Sequence, residues 1–161
     1  MTNHGTFNIN SNPKYVFLGV QMKILMTAAQ TRGQFGLIEG TMPSGGDGGL
    51  HVHHREDECM LILEGTLEVT IGHDTRTLTM GDSYFAPRAV PHRIRNPGPG
   101  SMRALMISTP GEFTSFITEV GVELRDGVEP EPAAPPTANE MRRIGEVSKN
   151  YAIEMISPPG S

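Results

Sequence analysis

The chain has 161 residues, with thirteen Lys and Arg against eighteen Asp and Glu for a formal charge of −5. That length suits one ordinary domain, and the absence of a basic stripe argues against nucleic acid as a partner. A single cysteine, Cys59, excludes an intramolecular disulfide and fits a reducing cytoplasm.

The opening Met1-Thr2-Asn3-His4-Gly5 lacks the basic and apolar regions of a secretory signal. The longest apolar runs, such as Met60 to Leu63, are far too short to span a bilayer. The expectation is a soluble, cytoplasmic protein with no membrane partner. Nineteen glycines and thirteen prolines suit many short strands joined by turns better than a helical bundle.

In chain order, residues 1–13 are polar and turn-rich. From Tyr15 to Thr27, Val16, Leu18 and Val20 and then Met22, Ile24 and Met26 alternate on either side of Gly19, a period of two that predicts strand. Gln34 to Met42 predicts a third strand, with Phe35, Leu37 and Glu39 on one face. The glycine-rich stretch Pro43 to Gly49 predicts a loop. Short strands are predicted near 50–54, 58–63, 66–71, 75–79, 83–86, 91–95 and 102–108, parted by Glu64-Gly65, Gly72-His73-Asp74, Gly81-Asp82 and Pro97-Gly98-Pro99-Gly100. Such a series indicates an all-β sandwich or barrel.

A short helix is predicted over Gly111 to Val120, where Phe113, Phe116, Ile117 and Val120 recur at helical spacing. Val128 to Pro136 holds four prolines and reads as an extended linker. Thr137 and Glu140 form a capping-box pattern opening a second helix. Its stripe of Met141, Ile144, Val147 or Ser148, and Tyr151 needs a docking surface, on this barrel or on a partner subunit. The division expected is a barrel domain with N-terminal strands over 1–126 and a linker, helix and tail over 127–161.

The chemistry concentrates in His51-Val52-His53-His54-Arg55-Glu56-Asp57-Glu58. Residues two apart on a strand face the same way, so His51 and His53 project together and His54 faces the other side. Glu58 opens the next strand; pairing of the two strands would put it about 5 Å from the histidines. His92 follows Pro91, and local reasoning does not place it. His4, His54 and His73 read as surface histidines, Glu56 and Asp57 as a solvated turn, and Arg55, Arg88 and Arg93 as solvated rim charges. Cys59 points away from the Glu58 face and reads as a buried thiol.

These residues resemble the two motifs of the cupin family. The first, G-x5-H-x-H-x4-E-x6-G, is matched by Gly45, His51, His53, Glu58 and Gly65. The second, G-x5-P-x-G-x2-H-x3-N, is matched by Gly81, Pro87, His92 and Asn96, with Ala89 where the family usually has glycine. That departure is expected to shift a turn slightly and to touch no ligand. The resemblance extends to Thr31-Arg32-Gly33-Gln34-Phe35 and Pro110-Gly111-Glu112-Phe113. The tail Tyr151 to Met155, before Pro158-Pro159, is similar to tails of small bacterial cupins of the quercetin 2,3-dioxygenase-like group.

The resemblance implies an all-β fold, a cupin double-stranded β-helix or jelly-roll barrel with a short C-terminal helical arm. It implies one divalent transition metal per chain, Fe, Mn, Ni, Co, Cu or Zn, held by His51, His53, Glu58 and His92. Glu58 would also serve as a catalytic general base. Parity places Met60 and Ile62 on the Glu58 face and Ile94 on the His92 face; with Phe35, Leu37 and Met106 they are the expected substrate pocket. The implied partners are a small-molecule substrate and a second copy in a homodimer built with the N-terminal strands. The expected activity is a dioxygenase acting on an enol or aromatic, polyketide-like substrate. The alternatives are a non-redox cyclase, isomerase or decarboxylase, and a non-catalytic binding protein.

Overall fold

The computed structural model describes residues 5–6, 12–125 and 136–160. The linker expected over Val128 to Pro136 therefore lies almost wholly outside the described residues. Two antiparallel sheets face each other. One has seven strands in the order β11-β1-β2-β3-β10-β5-β8, the other five in the order β12-β4-β9-β6-β7. The strands are β1 Lys14–Phe17, β2 Val20–Met26, β3 Gly36–Met42, β4 Leu50–His53, β5 Asp57–Glu64 and β6 Thr66–Ile71, followed by β7 Asp74–Thr79, β8 Ser83–Ala86, β9 His92–Arg95, β10 Met102–Thr109, β11 Val122–Leu124 and β12 Ile153–Ser157. Helix α1 spans Phe113–Val120 and α2 spans Ala138–Ser148, followed by a 3-10 turn over Lys149–Tyr151. This is the jelly-roll barrel the sequence indicates. Among the described residues, no helix is long and apolar enough to cross a membrane.

Alternation decides what faces inward. Along β10, Met102, Ala104, Met106 and Ser108 are buried while Ile107 is 40% exposed. In register with Met106 lie Ile38 of β3 and Met60 of β5, both buried. In register with Ile107 lie Leu37 and Cys59, on the outer face. Leu37 was expected inside; the register puts Gly36, Ile38 and Met42 inside instead. The strand also begins two residues later than expected. Thr31 Oγ1 accepts from the Phe35 N–H at 3.2 Å and holds the preceding residues in a turn.

Glycine is required where the backbones crowd. A Cβ on Gly65, at φ +79°, would meet Met102 Cα and Ser101 O at 2.9 Å. One on Gly111 would lie 2.5 Å from the Phe35 carbonyl. Both glycines sit where the chain turns tightly against another strand or loop.

Helix α2 has the expected capping box: Thr137 Oγ1 accepts from Glu140 N at 3.2 Å, and Glu140 Oε2 accepts from Thr137 N at 2.7 Å. Its buried residues, Ile144 and Ser148, dock on the same chain's barrel. Two strands were not anticipated. β11 pairs with β1, and the tail strand β12 pairs with β4, the strand of His51 and His53.

Candidate metal centre

His51 and His53 sit on β4 and His92 begins β9; His51 and His92 are direct partners across the ladder. Glu58 stands on β5, in the other sheet, between Ser108 of β10 and Ala86 of β8. This corrects the expected pairing of the Glu58 strand with the histidine strand. The intervening residues 54–56 carry the chain across the barrel, so the carboxylate faces the imidazoles from the opposite wall. One ligand atom from each of His51, His53, Glu58 and His92 lies within 4.8 Å of the other three. The imidazole centroids are 4.4 to 5.5 Å apart.

Two of the three rings are held from their Nδ1 side. His51 Nδ1 lies 2.9 Å from the Gly49 carbonyl and His92 Nδ1 lies 3.3 Å from the Val90 carbonyl. A carbonyl can only accept, so in the neutral state both rings carry the proton on Nδ1 and present bare Nε2. His53 Nδ1 lies 3.6 Å from a carboxylate oxygen of Glu56. His53 Nε2 and His92 Nε2 are buried without a hydrogen-bond partner. Orphaned lone pairs are costly inside a protein, and a cation shared by them removes that cost. The donor set therefore fits a divalent transition metal.

The electrostatics agree. Burial, followed by the neighbouring His92 and His53 rings, pushes His51 down to about 3 against the opposing pull of Glu58, so this ring is a neutral donor. Burial raises Glu58, but His92 and then the other two imidazoles outweigh it and hold the carboxyl well below its usual range. Burial lowers His92, yet the Glu58 charge more than compensates and its pKa rises; His92 Nε2 lies 3.7 Å from Glu58 Oε2.

Two residues went unrecognised in the sequence. Tyr84 on β8 is buried and its hydroxyl donates to Glu58 Oε1. Burial and then the Glu58 charge raise the phenol well above its ordinary pKa, so it stays a donor. It ties up one carboxylate oxygen and leaves the other facing the imidazoles. Replacing Tyr84 by Phe keeps the ring but frees that oxygen. Co(II) affinity is expected to fall by about tenfold, measured by titration of metal-free protein.

The second is Glu56, expected in a solvated turn but only 2% exposed. Its neighbour Asp57 receives three hydrogen bonds from Arg88, one from the main chain and two from the guanidinium. Arg93 pairs with Asp47, and Arg55 lies 3.6 Å from Glu112, so the three rim arginines are paired. Ala89 keeps the left-handed conformation, φ +63°, of the glycine it replaces. A non-glycine residue there is strained, and its N–H donates to the His53 carbonyl at 2.8 Å.

A recess lies over the cluster. Ile94 and Met106 line it, and Met60 and Ile62 lie in the buried core without reaching its wall. Phe35 and Leu37 stand away from it. Its walls also draw on Phe17, Leu18, Val20 and Met22 of the first hairpin and on Ile144, Ser148, Ile153 and Met155 of the C-terminal segment. Sequence reasoning had no means of bringing either segment to the site.

Residues 38–108 match the family model described as Cupin domain. That stretch runs from β3 to β10 and carries the cluster of three histidines and a glutamate, one that could hold a metal ion. The chain is 38% identical over 58 residues to the xanthan biosynthesis protein XanB of Xanthomonas campestris pv. campestris, covering 36% of this chain and 12% of that protein. It thus spans only about an eighth of that relative. Among solved structures it resembles KdgF from Halomonas sp., with TM-score 0.58, 24% identity and coverage of 69% of this chain and 99% of that one. It also resembles a predicted oxalate decarboxylase from Thermotoga maritima, with TM-score 0.60, 20% identity and coverage of 66% and 99%. These likenesses show a shared fold.

Proposed function

We propose that the chain is a metal-dependent enzyme acting on a small, largely apolar molecule, and specifically a dioxygenase of an enol or aromatic, polyketide-like substrate. The supporting observation is the contrast between floor and walls. The floor is three imidazoles and a carboxylate; the walls are Phe, Leu, Ile, Val and Met side chains. Among the described lining residues, Ser148 alone adds a neutral polar side chain. Such a recess suits a flat or branched hydrocarbon body with one chelating polar end. It offers few partners to the many hydroxyls of a sugar.

When bound, a divalent transition metal would acidify a chelating hydroxyl and, if redox-active, activate O2. Glu58 is the residue placed to take the proton of that hydroxyl, with Tyr84 donating to its other oxygen. Because Glu58 is held below the ordinary carboxylate range, the transfer favours an acidic hydroxyl such as an enol or phenol. The apolar walls orient the substrate and exclude water.

The test is oxygen uptake by protein reconstituted separately with Fe, Mn, Ni, Co and Cu, across flavonol, enediol and polyketide substrates. Uptake with at least one pairing is expected. Turnover of the same substrates at an unchanged rate under strict anaerobiosis would replace the oxygenase with a non-redox lyase or isomerase. Absence of turnover in every pairing would reduce the site to a binding function.

A further inference from the structure

We propose that Glu56 is a positioning residue for His53: its carboxylate holds the ring in the Nδ1–H form so that Nε2 faces the centre. This rests on the metal reading of the cluster and goes beyond the four ligands. Glu56 lies in the crossing between β4 and β5 and is buried, as is His53. One carboxylate oxygen, Oε1, accepts from the Phe113 N–H at the start of α1, at 2.9 Å. The other, Oε2, is buried without a hydrogen-bond partner and lies 3.6 Å from His53 Nδ1, likewise buried without one. That separation is ion-pair reach rather than a formed hydrogen bond. The Phe113 ring also packs near the imidazole, with centroids 5.1 Å apart.

The alternative is that Glu56 only anchors α1. Anchoring needs one oxygen, and it leaves the second buried beside an equally unsatisfied nitrogen, each at a cost. A proton on Nδ1 pointed at Oε2 relieves both. His51 and His92 take the same orientation from the main-chain carbonyls of Gly49 and Val90. His53 is the histidine whose orientation depends on a side chain, so a mutation can switch it.

Glu56→Gln supplies the variant. It keeps shape but offers one acceptor where Phe113 N–H and His53 Nδ1–H present two donors. Its amide then faces His53 and favours the Nε2–H tautomer, which cannot ligate through Nε2. Nitrogen-15 spectra of labelled histidine in metal-free wild type are expected to show His53 protonated on Nδ1. The variant is expected to lose that form, and its Co(II) dissociation constant to rise about 10- to 100-fold. Loss of helix anchoring alone would lower the metal-free melting temperature without moving the tautomer. The proposal is overturned by a wild-type His53 that carries its proton on Nε2, a measurement that needs no variant to fold. It is equally overturned by a folded Glu56→Gln protein with His53 unchanged and Co(II) affinity within about twofold of wild type. Wild type with the Nδ1–H tautomer and no Co(II) uptake would support the Glu56 assignment and sink the metal reading beneath it.

Discussion

Metal-saturated protein is expected to melt roughly 10 °C above metal-free protein. A ligand that binds only the folded state at about a thousandfold above its dissociation constant adds about 4 kcal/mol. For a chain of this size each kcal/mol moves the midpoint by about 2–4 °C. The site has reason to be specific to the folded state. His51 and His92 meet across a ladder pair, while Glu58 reaches them from the opposite sheet. No local segment of the unfolded chain holds all four. Replacing His51, His53, Glu58 and His92 together by alanine should erase the shift and take metal content from about one per chain to near zero. The metal-free quadruple variant should fold, because it also removes the orphaned Nε2 atoms of His53 and His92. An unchanged metal stoichiometry in that variant would mean that the cation sits elsewhere.

The strand pattern and the four ligands were readable for different reasons. Strands such as β6 and β8 announce themselves through alternation and their bounding turns, and their predicted limits coincide with the observed ones. His51 and His53 share a face because β4 is a strand, a purely local fact. His92 and Glu58 come to them through the barrel's closure, which local pattern does not encode; the family spacing supplied it. Leu37 was misplaced because Leu37 and Ile38 are both apolar, so alternation does not fix the parity of β3 and only pairing with β10 decides it. Glu56 was misread because a charged run usually lies in water, and its burial follows from where α1 returns. The tail strand β12 escaped notice because Ile153-Glu154-Met155 is short and acquires strand structure by pairing with β4.

That tail is where the second large effect is expected. Helix α2 and β12 lie outside the matched stretch 38–108, yet Ile144, Ser148, Ile153 and Met155 wall the recess. Ile153 pairs directly with His53, and Met155 with His51. Truncating Ile153, which is 7% exposed, to alanine should cost about 2–5 kcal/mol, a fall of roughly 10 °C in midpoint. Co(II) affinity should weaken as well, because β4 loses packing behind both ligands. The end of the segment is tied down by Asp47, whose carboxylate accepts from Gly160 N and Gly49 N at 2.9 Å each and pairs with Arg93. Burial raises Asp47, but Arg93 and the two N–H groups outweigh it and bring its pKa from 3.8 to about 2. A carboxyl lowered on folding contributes stability that is full above its unfolded pKa and is lost as pH falls through the folded value. The contacts of this carboxylate, the Gly160 tether among them, should therefore stabilise the fold at neutral pH and fade between about 4 and 2. Asp47→Asn should lose that contribution at neutral pH and show a flatter acid limb in urea melts. Hydrogen exchange at the β12 amides should quicken in the variant before that of the β5 and β10 amides. Parallel acid limbs for the two proteins, with unaltered exchange in β12, would show that the carboxylate does not hold the tail over the site.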